Sequence, residues 1–163
     1  MAERPSPEAM QAWRALLGTI NSVRDLLNAE LEAERGLQLT EYEILLRLYH
    51  APGQRLRMQD LARGAMLSKS GLTQAIAALE QEGLVAREPV PGDRRGIYAV
   101  ITPQGRRRFR RAAPVHLRGL NRHFGTYFTP EQAEDIALCL AKAGRAATGD
   151  ARWEAWWGGS IEP

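Results

Sequence analysis

The sequence predicts a mainly α-helical (α+β) protein organised around a winged helix-turn-helix, with a small β-hairpin wing and longer helices at both ends. Two observations predict this fold. A short segment with helical apolar periodicity, Met58 to Ala65, leads into a second helix that opens at Ser68. Two predicted strands then flank a loop, Pro89 to Gly96, whose two prolines and two glycines favour tight turns.

The second helix has a face that suits contact with another molecule. Its apolar residues Leu72, Ile76 and Leu79 follow one stripe, which predicts their burial. Ser68 suits the N-cap, because its hydroxyl can accept a hydrogen bond from the first turn. The opposite face is short, polar and singly charged, unlike an ordinary solvated face, and a DNA major groove admits such a helix. Its candidate DNA-contacting residues are Ser68, Lys69, Ser70, Thr73 and Gln74.

The wing is predicted from two strands and their connection. Leu84 to Glu88 reads as the first strand, and Ile97 to Ile101 alternates as a second strand should. Leu56 can add a short third strand. The connecting loop places three candidate DNA contacts at or near the hairpin tip: Asp93, Arg94 and Arg95.

Four segments together resemble the multiple antibiotic resistance regulator (MarR) family: LSKSGLTQ, LEQEGLV, PGDRRG and ITPQGR. The resemblance implies a homodimeric regulator of transcription that binds a pseudo-palindromic operator in double-stranded DNA. It further implies a repressor released by a small aromatic or phenolic ligand. In the family the Asp93–Arg94 pair is placed so that the arginine enters the minor groove. Gln74 replaces an arginine common in the family, which predicts fewer charged base contacts here.

Composition agrees with a DNA partner. The 163 residues carry a net charge of only +3, but eleven basic side chains stand against five acidic ones between Arg57 and Arg111. Such a local excess is typical of nucleic-acid-binding surfaces. The polar N-terminus and the short apolar runs predict neither a leader nor a membrane span, and the single cysteine fits the reducing cytoplasm.

The terminal segments are predicted to form a dimerisation region. From Glu8 to Glu34 the apolar residues follow one long stripe, and the alternative is that this helix packs back on its own domain. The resemblance favours dimerisation by this helix together with the C-terminal helices. The predicted divisions are an N-terminal dimerisation helix (8–38), the DNA-binding domain (39–102), C-terminal dimerisation helices (103–145) and a Trp-rich tail (146–163).

Local signals predict where the remaining helices begin. Thr40 and Glu43 form a candidate capping box, and Thr129 with Gln132 forms another. Thr102 followed by proline predicts a third start, and Pro114 predicts a kink inside that helix. The arginine run 106–111 is either a phosphate-facing patch or, more commonly for such runs, a solvated face. Trp153, Trp156 and Trp157 can dock on the helices or belong to a disordered end.

No catalytic motif, glycine-rich phosphate loop or paired-cysteine metal signature is present, so we predict neither an enzyme nor a cofactor. His116 and His123 lie two helical turns apart, too far for one metal ion. Cys139 lies in an apolar run and is predicted to be buried. Candidate ligand residues, with ordinary core as the alternative, are Trp13, Tyr49, Phe109 and His116. The competing function is a sequence-indifferent DNA-coating protein of the same fold.

Overall fold

The computed structural model describes residues 4–64 and 67–149, apart from the side chain of residue 148. Six α-helices and three strands follow in order: α1 (Pro7–Arg35), α2 (Leu39–His50), β1 (Arg55–Arg57), α3 (Met58–Gly64), α4 (Lys69–Gln81), β2 (Val85–Val90), β3 (Asp93–Ile101), α5 (Pro103–His123) and α6 (Pro130–Thr148). Two short 3-10 turns precede β1 and α6. The predicted mainly helical winged helix-turn-helix is confirmed.

The three strands form one antiparallel sheet in the order β1-β3-β2. Leu56 pairs with Ala99, so the predicted third strand is present. The connection between β2 and β3 is shorter than predicted. Pairing continues to Val90 opposite Asp93 after an irregularity at Pro89, which leaves only Pro91 and Gly92 in the turn. The prediction of a loop from Pro89 to Gly96 was therefore wrong. Strand β2 accommodates Pro89 because it is an edge strand, where a residue can lack one hydrogen-bond donor.

Helix starts depend on side-chain caps at the predicted serine and threonines. The hydroxyl of Ser68 accepts a hydrogen bond from the Gly71 N–H at 3.0 Å, and Thr102 and Thr129 cap α5 and α6 in the same way. The prediction for α2 was wrong by two residues. Its N-cap is Gln38, whose N–H donates to the Glu41 carboxylate at 3.0 Å. Glu41 and Glu43 each lie three residues after a polar residue that could be the N-cap. The spacing alone therefore does not tell which pair caps α2.

One hydrophobic core joins the wing domain to the terminal helices. It contains the C-terminal half of α1, all of the apolar face of α2, the predicted stripe of α4, and the inner faces of β3 and α5. Gly105 lets α5 approach the sheet, because a methyl group there would meet the Leu84 carbonyl oxygen at 2.1 Å. Phe109, at 1% exposure, is the largest fully buried side chain of α5. The recognition element and the long helices are thus oriented by the same buried side chains.

Helix α6 buries none of its residues against the rest of the described chain. It also runs past Gly144, where its end was predicted. Cys139 is exposed, so its predicted burial was wrong, and Leu138 beside it is 61% exposed. Trp153, Trp156 and Trp157 lie outside the described residues. No helix in the described ranges has the length and apolar character needed to cross a membrane.

Candidate DNA interface

The exposed face of α4 presents the five side chains selected from the sequence. Ser68, Lys69, Ser70, Thr73 and Gln74 are all exposed, whereas Leu72, Ile76 and Leu79 are buried. The helix is therefore oriented as its periodicity predicted. Ser68 and Ser70 lie 3.0 Å apart through their hydroxyl oxygens, and Thr73 donates to the Lys69 carbonyl at 2.8 Å. The exposed face of the helix thus carries short polar side chains held by hydrogen bonds, and its opposite face is fixed in the hydrophobic core.

The wing carries an acid that organises its turn. One carboxylate oxygen of Asp93 accepts hydrogen bonds from the backbone N–H groups of Arg95 (3.1 Å) and Gly96 (3.0 Å). The other accepts from the Arg57 guanidinium at 2.8 Å. The backbone bond from Arg95, followed by the bond from Arg57, holds the pKa of Asp93 below its usual value. Asp93 is therefore ionised at neutral pH and fixes both the turn and an arginine.

The arginine that Asp93 binds is Arg57 and not its sequence neighbour Arg94. Arg57 belongs to β1, which lies beside β3 in the sheet. Arg94 is exposed and has no ion-pair partner among the residues that the structure describes, and the same is true of Arg95. Arg94 is thus available at the wing while Arg57 supports the turn behind it.

A cleft of about 340 Å³ separates the wing from α4. Basic side chains of Arg57, Arg87 and Arg95 line it together with Thr73 of the α4 face. Arg87 crosses to α4, where it pairs with Glu80 at 3.2 Å and approaches the Thr73 carbonyl at 3.5 Å. Thr73 of the predicted helix residues and Asp93 and Arg95 of the predicted wing residues therefore border one concave, arginine-lined surface.

Sequence reasoning missed Arg57 and Arg87 as members of this surface. Both arginines were counted among the eleven basic side chains, but neither was assigned to the DNA-facing surface. Arg57 is 36 residues from Asp93 and Arg87 is 14 residues from Thr73, so no local pattern joins either pair. One signal was available: β1 and the hairpin strands must pair if Leu56 begins a third strand, which brings Arg57 close to the turn.

The four candidate ligand residues do not all come together. Tyr49 and Phe109 lie 4.7 Å apart by ring centroids, and Tyr42 joins Phe109 (5.5 Å) to His116 (4.4 Å). Trp13 lies elsewhere. It is 54% exposed in the N-terminal half of α1, about 20 Å along the helix axis from the first buried residue, Leu27.

His116 is the polar member of this aromatic cluster. Burial, and then the positive charge of Arg24, lowers its pKa to about 4, so the ring is neutral at physiological pH. Its Nδ1 is buried without a hydrogen-bond partner among the described residues. Arg24 itself forms a two-point ion pair with Glu43, the second contact at 3.2 Å. The cluster thus combines stacked rings, a neutral imidazole and a nearby cation.

Similarity to known proteins identifies the family to which this chain belongs. A model described as MarR family matches residues 35–96, from the end of α1 through the wing turn. AbsC, a MarR family transcriptional regulator of Streptomyces coelicolor, is 34% identical over 91% of this chain and 100% of its own, with a TM-score of 0.80. This chain belongs to the MarR family.

Two further relatives agree. Sco3205 of Streptomyces coelicolor, a MarR family regulator solved in complex with DNA, is 30% identical, with a TM-score of 0.80 over 88% of this chain and 91% of its own. The uncharacterised regulator YkoM of Bacillus subtilis is 28% identical over 87% of this chain and 90% of its own. MarR family members are transcriptional regulators that bind DNA, not enzymes, and this chain is one of them.

The neutral state of His116 predicts a pH dependence of stability. An ordinary histidine titrates near 6.5 in the unfolded chain and His116 near 4 in the folded one, so the unfolded state binds its proton first. This group's contribution is complete above pH 6.5 and declines as the pH falls towards 4. His116→Phe should flatten the decrease of Tm across that window, measured by circular dichroism. Parallel curves for the wild type and His116→Phe would contradict the assignment.

Proposed function

We propose that the chain is a cytoplasmic, homodimeric repressor that recognises a pseudo-palindromic operator and releases it on binding a small aromatic or phenolic ligand. The observation that carries the DNA-binding part is the common surface formed by the exposed face of α4 and the wing. It matches the two features that a duplex offers, a major groove wide enough for a helix and a phosphate backbone beside it.

The two parts of this surface suit different tasks. On α4, the amide of Gln74 can pair with N6 and N7 of adenine, and the serine and threonine hydroxyls can contact base edges or phosphates. On the wing, exposed Arg94 can enter a minor groove, where the negative potential depends on groove width. Lys69 and Arg95 supply further charge for the backbone. Base edges are thus read by α4 and groove shape by the wing.

The proposal of a dimer is supported by the apolar stripe of α1, which is buried at its C-terminal end and exposed at its N-terminal end. Leu27 and Leu31 are buried, and the same face of α1 continues towards the N-terminus through Ile20, Leu17 and Trp13, which are exposed. Leu138 and Leu140 of α6 are exposed as well. Large apolar side chains in contiguous exposed patches mark interaction sites. A second copy would cover both helices and would present two α4 faces to two half-sites.

The aromatic cluster supports the small-molecule response. Rings at Tyr49 and Phe109 can stack on a planar ligand, and His116 with Arg24 supplies a neutral polar group near a cation. Because the cluster joins α2 to α5, a ligand there would change how the wing domain sits on the long helices. BpsR of Bordetella bronchiseptica, which shares this fold at 19% identity and a TM-score of 0.71, is regulated in its DNA binding by 6-hydroxynicotinic acid. YetL of Bacillus subtilis, 28% identical over 100 residues, is a repressor.

Selection from random DNA followed by competition binding tests the function. A regulator should enrich one two-fold symmetric sequence and prefer it over bulk DNA by roughly a thousandfold or more. We expect this preference because the exposed side chains of α4 form hydrogen bonds, and such side chains discriminate between base edges. Equal affinity for the selected and the bulk DNA would favour the sequence-indifferent coating protein instead.

Removing the acid at Asp93 should weaken operator binding although it removes a negative charge. The reason is geometric: Asp93→Ala frees Arg57 and breaks two hydrogen bonds of the wing turn. Glu88→Ala is the matched control, because Glu88 is an exposed acid of β2 without an ion-pair partner in the described part of the chain. That control should bind as well as the wild type or more tightly. Fluorescence anisotropy on the selected operator measures both, and tighter binding by Asp93→Ala would contradict its orienting role.

A charge within the α1 stripe should dissociate the dimer. Leu17→Glu would place a carboxylate in the apolar face that a second copy covers, and burying an unpaired charge is costly. Gln11→Glu adds the same charge to the opposite, exposed face of α1 and should stay dimeric. Light scattering after gel filtration measures both masses, and circular dichroism checks that the helices persist. A dimeric Leu17→Glu protein would disprove this interface.

A further inference from the structure

Helix α5 carries seven arginines and no acidic residue over its 21 positions. Four of the seven have partners within the chain. Arg118 and Arg122 pair with Glu34 and Glu30 of α1, both at 2.9 Å. Arg108 donates to the Gly36 carbonyl at 2.8 Å, and Arg106 donates to the Gln54 side chain at 3.0 Å. These contacts fasten α5 to α1 and to the turn before β1.

The other three arginines, Arg107, Arg110 and Arg111, have no ion-pair partner among the described residues. All three are exposed, and their spacing of i, i+3 and i+4 places them on one face of the helix. No carboxylate of the described ranges lies within ion-pair distance of their guanidinium groups. Like charges at this spacing repel, and cations near a helix N-terminus oppose the helix dipole. The fold therefore keeps an arrangement that is unfavourable unless an external anion neutralises it.

A comparison among the helices gives the same indication. Every α-helix in the described ranges has an acid in its first turn except α4 and α5. Helix α4 is the one that faces DNA in the proposed function, where an acid would repel phosphate. Helix α5 shares this exclusion of acids although it is placed outside the predicted DNA-binding domain.

The arginine face of α5 is connected to the wing by further cations. On β1, Arg55 and Arg57 are both exposed, and Tyr98 of β3 lies across from Arg57. The guanidinium carbon of Arg55 lies 4.8 Å from the Tyr98 ring centroid. Arg106 then reaches the turn before β1 through Gln54. Gln54 holds a left-handed backbone with φ of 54°, an unusual conformation for a residue with a side chain.

We propose that these side chains form a phosphate-binding track that extends the operator interface to flanking DNA. The track is defined as Arg57, Arg55, Arg106, Arg107, Arg110 and Arg111. It begins beside the wing turn, follows the exposed arginines of β1 and continues along the first half of α5, where Arg107, Arg110 and Arg111 are exposed. The inference rests on the proposed function, because it takes operator DNA as the molecule that reaches the wing.

Duplex DNA fits this track better than a compact anion does. The three unpaired arginines extend over about 6 Å of the α5 axis, along which a duplex presents several phosphates. They are exposed, and neither cleft found among the described residues is lined by them, so no pocket there encloses a small ligand. Asp93 already pairs with Arg57 at the wing end of the track, at 2.8 Å, and Glu88 is a second acid of the sheet. It stands opposite Tyr98 on β2, at the far edge of the sheet from β1 and therefore away from the track.

The test compares two duplexes with the same selected operator core. The short duplex ends at the core, and the long duplex adds two helical turns, about 10 base pairs each, on both sides. The test variant is Arg107→Gln/Arg110→Gln/Arg111→Gln. The control variant, Arg4→Gln/Arg14→Gln/Lys142→Gln, removes the same charge from exposed positions on α1, its preceding residues and α6. Affinity is measured by fluorescence anisotropy over a range of salt concentrations.

The wild type and the control should bind the long duplex more tightly than the short one. The test variant should lose roughly tenfold or more in affinity for the long duplex at low salt, and its salt slope there should fall by about 2 to 3. Its affinity for the short duplex should change little, and lysine at the three positions should restore the salt slope.

Equal affinity of the wild type for both duplexes would overturn the track alone. An equal loss in the test and control variants would also overturn it, since general charge would then explain the effect. Failure of the wild type to select any core sequence would overturn the proposed function, and the track with it.

Discussion

The packing of α5 against α2 is the contact on which the DNA-facing surface and the terminal helices both depend. Phe109 lies between Tyr42 and Tyr49, at centroid distances of 5.5 and 4.7 Å. Such aromatic pairs contribute about 0.5–1.5 kcal/mol each beyond the area they bury. Burial of Tyr42 also raises the pKa of its hydroxyl, which keeps the ring neutral. Because α2 supports α4 within the same core, the position of α5 determines where the recognition surface stands.

The charged groups of the wing act through geometry more than through net charge. An acid beside arginines lowers the attraction for phosphate, so Asp93 has to contribute in another way. Its carboxylate accepts three hydrogen bonds, two from the turn backbone and one from Arg57, and these bonds fix a hairpin whose turn has only two residues. A fixed turn lets Arg94 be presented without the entropy loss of ordering a flexible loop on binding.

Local chemistry made much of the fold predictable from the sequence. A cap depends on residues three positions apart, so Ser68, Thr102 and Thr129 could be placed without knowledge of the tertiary structure. The same rule failed at α2. Thr40 with Glu43 and Gln38 with Glu41 both satisfy the spacing, and the choice is made by Asn28 of α1, whose side chain accepts from the Leu39 N–H at 2.8 Å.

The wing shows where local reasoning ends. Prolines and glycines predicted a loop from Pro89, but β2 and β3 pair as far as Val90 and Asp93, which leaves a turn of two residues. The five residues of the α4 face could be predicted because one helical period orients all of them. The partner of Asp93 could not be predicted, because Arg94 is its neighbour in sequence whereas Arg57 is the arginine that binds it in the fold. Cys139 shows the same limit: an apolar sequence run does not specify what covers it.

The arginines of α5 show most clearly why composition alone leaves function open. A run of basic residues in a sequence is usually a solvated face. Within one such run Arg108 satisfies a carbonyl at the end of α1, Arg106 supports a turn of unusual backbone conformation, and Arg107 remains without an anion. Side chains of identical chemistry thus differ because the helix points them at different surroundings. The charge that stabilises the fold can be separated from the charge left over for a partner only when each guanidinium is traced to what it contacts.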